Sequence, residues 1–275
     1  MASRSYSFDT QSIGLESVVN ARDLGGYVLP DGSTVRRGLL LRGGSLAKAT
    51  AADLDKLSKS YGLAYVFDFR TKMEIKHDPD MDVPGAKYTW LPAIDPDTDK
   101  LDQQLPPSAY RDLGNFLQHH ASEAKVQDVA RRLYSDMLFN EYTQLQYAAF
   151  MQTLVNTSSG AVFWHCSQGK DRTGLAAAFI LTALGADRKL VVEDYAISNE
   201  VYAGEIAAAS ERMLDSGGGE EELQVIRTFI GANVEYFSST LDLIDRNFGS
   251  LHQYVKDVLF VSEADMEVLR RRYLV

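Results

Sequence analysis

Between Ala161 and Gly185 the chain passes from an apolar run of strand length, Ala161-Val162-Phe163-Trp164, through a polar loop, His165 to Arg172, into a helical run. That run, from Thr173-Gly174-Leu175-Ala176-Ala177-Ala178-Phe179-Ile180-Leu181 to Leu184, carries no charge and meets a glycine stop at Gly185. A strand and a helix this free of charge are buried on all sides, so they belong at the centre of an α/β domain. A short loop joining them aims backbone N–H groups and the positive end of a helix dipole at one point. An anion belongs there.

Within the loop the order His165-Cys166-Ser167-Gln168-Gly169-Lys170-Asp171-Arg172-Thr173-Gly174 supplies the parts that phosphate ester cleavage needs. Cys166 stands where the amides converge, and such positions lower a cysteine pKa from ~8.5 into the range of ~3.5 to 7.5. That makes it a nucleophile at neutral pH. Arg172 can return its planar guanidinium to the same centre and bond two phosphate oxygens at once, which lysine does not reproduce. Gly169 allows a tight turn and close approach of backbone to phosphate, while Thr173 can give its hydroxyl to the sulfur. Ser167, Gln168, Gly169, Lys170, Thr173 and Gly174 are the expected substrate-binding positions. A buried structural thiol would need no such arrangement around it. Nor is this a nucleotide-binding phosphate loop, because Trp164 stands where its first glycine is required and Asp171 where Ser or Thr must follow the lysine.

Elsewhere a strand is expected at Gly38 to Arg42, then a helix opening at Thr50 with Leu54, Leu57 and Tyr61 inward. Thr50 and Asp53 form a capping box, and Gly62 ends the helix. A second apolar run, Leu63 to Phe67, leads into Asp68-Phe69-Arg70; together these read as βαβ and hence as a parallel sheet. Pro92 to about Pro107 has loop composition and holds Asp95, Asp97, Asp99 and Asp102. Helices follow from roughly Val126 to Leu138 and from Glu141 to Val155, the latter with Tyr147, Met151 and Leu154 on a core face. Val201 to Ile230 also reads as helical, jointed at Ser216-Gly217-Gly218-Gly219 before the acidic run Glu220 to Glu222.

Cys166 is the only cysteine in 275 residues, which excludes an internal disulfide and a multi-cysteine zinc site and suits a reducing compartment. A formal charge of −10, from 28 basic and 38 acidic residues, speaks against nucleic acid as a partner. No apolar run approaches the ~20 residues of a membrane helix, and the first residues lack an apolar segment behind their one positive charge. A cytoplasmic location is the resulting expectation.

Cys, five residues, Arg, then Thr-Gly, preceded by His, resembles the signature of the protein tyrosine phosphatase superfamily. The fuller form, with Asn20-Ala21-Arg22-Asp23-Leu24-Gly25-Gly26-Tyr27 near the start, is similar to the tyrosine phosphatase family of bacteria and fungi, some of whose members also accept phosphoserine, phosphothreonine or phosphoinositides. The likeness extends through Asp68-Phe69-Arg70, Glu193-Asp194-Tyr195 and Phe248-Gly249-Ser250, and so covers most of the chain. It departs at Ser167-Gln168 and at Arg42-Gly43-Gly44. The resemblance implies one phosphatase domain over residues 1–275, a mostly parallel central sheet flanked by helices, and a helical insertion or lid at 199–231. It also implies a metal-independent reaction without cofactor, through a phosphocysteine. Phosphorylated protein or phosphoinositide would be the substrate, phosphotyrosine favoured, with inorganic phosphate as product or inhibitor.

An acid must protonate the leaving oxygen, and two aspartates compete. Asp171 precedes Arg172, and in the related myotubularin phosphatases an aspartate at that point of the motif is taken as the acid. Asp68 lies at the carboxyl end of a parallel strand, the edge where ligands bind in open α/β sheets, and could be the acid or a support for the loop. An aspartate of the 92–107 loop, such as Asp95 or Asp97, ranks third. His165, Arg22, Asp23 and Arg70 are expected as buried polar supports behind the loop. Lys170 is either a contact for further phosphate groups or an ordinary loop lysine.

Overall fold

The computed structural model describes residues 6–96 and 134–275. Asp97, Asp99 and Asp102 and the first part of the helix expected from Val126 lie outside them; residues 134–139 are helical. A five-stranded sheet organises the described chain: β1 (Arg22–Asp23), β2 (Leu40–Gly43), β3 (Leu63–Asp68), β4 (Lys87–Trp90) and β5 (Ala161–His165). The order is β1-β2-β5-β3-β4, with β1 antiparallel to β2 and every other pairing parallel. The expected βαβ unit is present, but β5 lies between its two strands and pairs with both.

All five residues of β5 are buried, and they alternate between two cores. Val162 and Trp164 enter the larger core, Ala161 and Phe163 the smaller. A strand apolar on both faces can sit only in the middle of a covered sheet. The exposed pattern of β4 suits an edge, and no strand was expected there from the sequence.

Helices cover both faces. After the single-turn α1 (Phe8–Gln11), α2 (Ala51–Asp55) opens with the Thr50–Asp53 capping box, and Asp53 also accepts from the amides of Glu16 and Ser17. Gly62 follows at φ +57°, where a side chain would be strained. Next come α3 (Lys72–His77), α4 (Glu141–Asn156) and α5 (Asp171–Leu184), the last buried from Arg172 onward and ended by Gly185. α6 (Arg188–Ala196) leads to α7 (Ser198–Asp215) and α8 (Glu220–Phe229), which share a small core of Tyr202, Leu223, Val225, Ile226 and Ile230. The helical stretch expected between Val201 and Ile230 is thus two helices joined at 216–219. α9 (Val234–Phe248), α10 (Leu251–Asp257) and α11 (Glu263–Tyr273) complete the layer over the larger core. Among the described residues no helix is long and apolar enough to cross a membrane.

Candidate active site

The carboxyl ends of β2, β5 and β3 meet where Gly43 pairs with His165 and His165 with Asp68, and the loop leaves the sheet at that edge. Its carbonyls are held outward one after another. Those of Cys166 and Ser167 face His165 Nδ1 (3.1 Å) and the Ser45 amide (3.2 Å); that of Gln168 accepts from the Tyr202 hydroxyl at 2.6 Å. The Gly169 carbonyl accepts from Asn20 and from Arg42, both at 2.9 Å, and that of Arg172 from Tyr147 at 3.1 Å. Because the N–H and C=O of one planar peptide point in opposite directions, anchoring the carbonyls outward turns the following amides inward. The amides of Ser167, Gln168, Gly169 and Lys170 donate to no acceptor among the described residues, so they are the donors an oxyanion would satisfy.

Gly169 has φ +65°, and a Cβ there would lie 2.2 Å from the Gly43 carbonyl carbon. The tight turn read from the sequence is therefore obligatory, and the close approach it permits is to β2. Cys166 is buried at the floor of a pocket of about 300 Å³ that Ser167, Gln168, Asp171, Arg172 and Glu74 also line. Burial alone would raise its pKa. The charge of Arg172 and hydrogen bonds from Thr173 outweigh that and hold the thiol below its ordinary value. The Thr173 hydroxyl is itself fully buried and has no other partner among the described residues.

Arg172 is gripped by Glu74, Nη1 to Oε2 and Nη2 to Oε1, both at 2.7 Å. Glu74 also accepts from the hydroxyl of Ser167 and from the amide of Thr71 at 2.8 Å. Sequence reasoning missed it. The signal was there: Thr71 and Glu74 form the capping box of α3 directly after Asp68-Phe69-Arg70. Burial opposes the charge on Glu74, but Arg172 and the other donors hold its carboxyl down at about 2. Stability from a group so depressed is complete above the ordinary value of 4.5 and is lost as pH falls toward 2. Glu74→Gln should lower kcat/KM at least ~10-fold through a misplaced Arg172. In urea unfolding, the stability gap between native protein and variant should hold above about pH 4.5 and narrow as pH falls from there toward about 2.

Three sequence expectations change. Asp68, expected as a candidate acid, is fully buried, and its carboxylate is taken by Arg70 (2.8 Å), the Tyr88 hydroxyl (2.8 Å) and the charge of His165. Burial works against its ionisation, yet these partners hold it at about 2, and it does not line the pocket. Buried among these partners and away from the pocket lining, Asp68 is placed as a support behind the loop. Asp23 does not support the loop; it accepts from the amides of Gly25 and Gly38 and fixes the turn ahead of β2. Lys170 is buried, not an exposed loop lysine, and its ammonium donates to the carbonyls of Phe229 (2.7 Å) and Gly231 (2.8 Å), tying α8 to the loop. Asp95, third in rank, accepts from Asn140.

Arg22 does stand behind the loop: it pairs with Asp194 at 3.2 Å, and Asp194 pairs with Arg42 at 2.5 Å, which in turn holds the Gly169 carbonyl. Neither Arg42 nor Asp194 was assigned a role from sequence. His165 sits with its Nε2 3.1 Å from Asp80. Burial disfavours the imidazolium, but the carboxylates of Asp68 and Asp80 overturn this and raise its pKa. Asp68, Asp80 and His165 have ligand atoms within 4.8 Å of one another, yet the Arg70 guanidinium lies 2.8 Å from both carboxylates and already answers their charge. That set does not suit a cation.

Asp171 starts α5 two residues before the helix expected from Thr173, and its carboxylate oxygen Oδ1 lies 2.5 Å from the Tyr134 hydroxyl and 2.8 Å from that of Tyr195. It lines both the pocket over Cys166 and a smaller one of about 80 Å³ beneath Phe229 and Tyr236.

Residues 13–275 match the profile of the tyrosine phosphatase family. A Cupriavidus necator protein whose name provisionally assigns it as a tyrosine-protein phosphatase is 30% identical over 262 residues, covering 95% of this chain and 88% of its own. The triple specificity protein phosphatase PtpB of Mycobacterium tuberculosis is 28% identical, over 86% of this chain and 91% of its own. Solved P. aeruginosa TpbA, at 15% identity over 76% of this chain and 89% of its own, superposes with a TM-score of 0.27, which carries no argument. The family match spans the N-terminal support, the sheet and the loop alike, and the chain belongs to the tyrosine phosphatase family.

Proposed function

We propose that this protein is a cysteine-dependent phosphatase that hydrolyses phosphate monoesters, phosphotyrosine in proteins first among them, through a phosphocysteine intermediate. The observation that carries this reading is the loop itself, with amides turned inward around an ionisable Cys166 and Arg172 fixed beside it. Cys166 attacks phosphorus, Asp171 protonates the departing oxygen, and water then releases phosphate and regenerates the thiolate. Phosphate, as product, occupies the same amides and inhibits.

Phosphotyrosine is favoured because the walls above Cys166 include Val19, Ala47 and Met73, apolar groups suited to an aryl ring. A broader range is the second reading, supported by the 28% identity to a triple specificity phosphatase. Phosphoinositides are less favoured, since Lys170, the cation that could have met a further phosphate, is engaged by main-chain carbonyls. We take residues 1–275 as one phosphatase domain in which 199–231 is an insertion tied down by Lys170 and Tyr202, and a cytoplasmic setting as the one that keeps the lone thiol reduced. Phosphate release measured side by side on para-nitrophenyl phosphate, phosphotyrosine and phosphoserine peptides and an inositol phosphate tests it. Turnover should be highest on the aryl esters. Phosphate binding without release from any of them would make the protein a binding module instead.

A further inference from the structure

Three oxygens close a triangle beside the loop: Tyr134 to Asp171 Oδ1 at 2.5 Å, Tyr195 to the same Oδ1 at 2.8 Å, and the two phenol oxygens 2.7 Å apart. Each edge is hydrogen-bond length, and each needs one proton. The two phenols bring two. With Asp171 ionised, one edge sets lone pairs against lone pairs at contact distance; with Asp171 protonated, three protons serve three edges around a closed ring. We propose that Tyr134 and Tyr195 are positioning residues that hold a protonated Asp171 in this ring and so store the proton it gives to the leaving oxygen. The proposal rests on the phosphatase reading above.

Burial pushes both phenols well above their ordinary pKa, so they keep their own protons. Tyr195 is fixed by stacking on Phe237, ring centroids 4.0 Å apart at 5°. It comes so close to α5 that a Cβ on Gly174 would lie 2.8 Å from its ring. That gives Gly174 a reason independent of phosphate. Asp171 itself is one-third exposed, at 33%, and faces the pocket. The other charges near it are the Lys170 ammonium, 3.5 Å from Oδ2, and the opposite charges of Arg172 and Cys166.

In the first step the bond from sulfur to phosphorus forms, the ester P–O bond breaks, and the Asp171 proton passes to the departing oxygen. The new carboxylate then accepts from both phenols, Tyr134 turning its O–H from Tyr195 to Oδ1. In the second step the attacking water loses a proton to Asp171 as its oxygen bonds phosphorus and sulfur leaves, and the ring closes again. The same two hydroxyls thus serve both protonation states.

The test is kcat on phenyl phosphate, whose leaving oxygen needs a proton, against kcat on dinitrophenyl phosphate, whose leaving oxygen does not. Because a positioned acid is worth ~10² to 10⁴ in rate, Tyr195→Phe and Tyr134→Phe should each lower the phenyl-to-dinitrophenyl ratio at least ~10-fold. Asp171→Asn should lower it further. An unchanged ratio, whether both rates hold or both fall together, overturns the ring, since a structural role would not distinguish the esters. Should Tyr195→Phe not fold, Tyr134→Phe decides. Wild-type protein inactive on both esters would instead overturn the phosphatase reading itself.

Discussion

Cys166→Ser should lower turnover of para-nitrophenyl phosphate by at least ~10⁴-fold, because losing a nucleophile removes the covalent step that the rest of the site serves. A serine hydroxyl, far less acidic than a thiol, is not ionised at that point by Arg172 and Thr173, which outweigh burial enough to hold the thiol below its ordinary value. Binding should survive. The inward amides depend on carbonyls anchored by Ser45, Tyr202, Asn20 and Arg42, hydrogen bonds in which the Cys166 side chain takes no part. Calorimetry with inorganic phosphate should therefore give an affinity equal to or tighter than wild type, since a neutral hydroxyl no longer repels the dianion. Loss of binding together with turnover would mean that the sulfur organises the loop instead of attacking the ester.

Arg172→Lys should reduce kcat/KM by ~10² to 10³, the scale of one preorganised transition-state donor. Charge is retained in this variant and geometry is lost. Arg172 presents two nitrogens in one plane to the two oxygens of Glu74, each at 2.7 Å, which fixes the plane of the fork before substrate arrives. An ammonium is a point charge and cannot span both oxygens. Glu74 is then poorly paired and its hold on Ser167 and the Thr71 amide loosens. Because the two residues act as one unit, the Arg172→Lys, Glu74→Gln double variant should cost little more than Arg172→Lys alone. Steady-state kinetics on the four proteins of that cycle measure the coupling, and additive losses would dissociate Glu74 from the orientation of the arginine.

Asp68 and Asp171 show where sequence reasoning stops. Both stand at the right edge of the sheet, and strand topology alone could not choose between them. Arg70, two residues along, folds back onto Asp68 and pairs with its carboxylate, a contact decided by side-chain direction at the end of β3. Lys170 was equally undecided, and the carbonyls that engage it come from the end of α8, some 60 residues away in sequence.

What the sequence determined by itself is local: a charge-free strand, a loop of Cys, Gly, Arg and Thr at set spacing, and a charge-free helix, which together dictate a buried sheet and an anion pocket. Hydrophobic burial and peptide geometry act over a few residues, so they can be read in order along the chain. The tertiary structure alone decided that Glu74 orients Arg172, that Arg42 and Asp194 brace Gly169, and that Tyr134 and Tyr195 meet Asp171. Those are pairings of buried polar groups from distant segments. Burial requires each to find some partner, but only the packing of helices on the sheet settles which one.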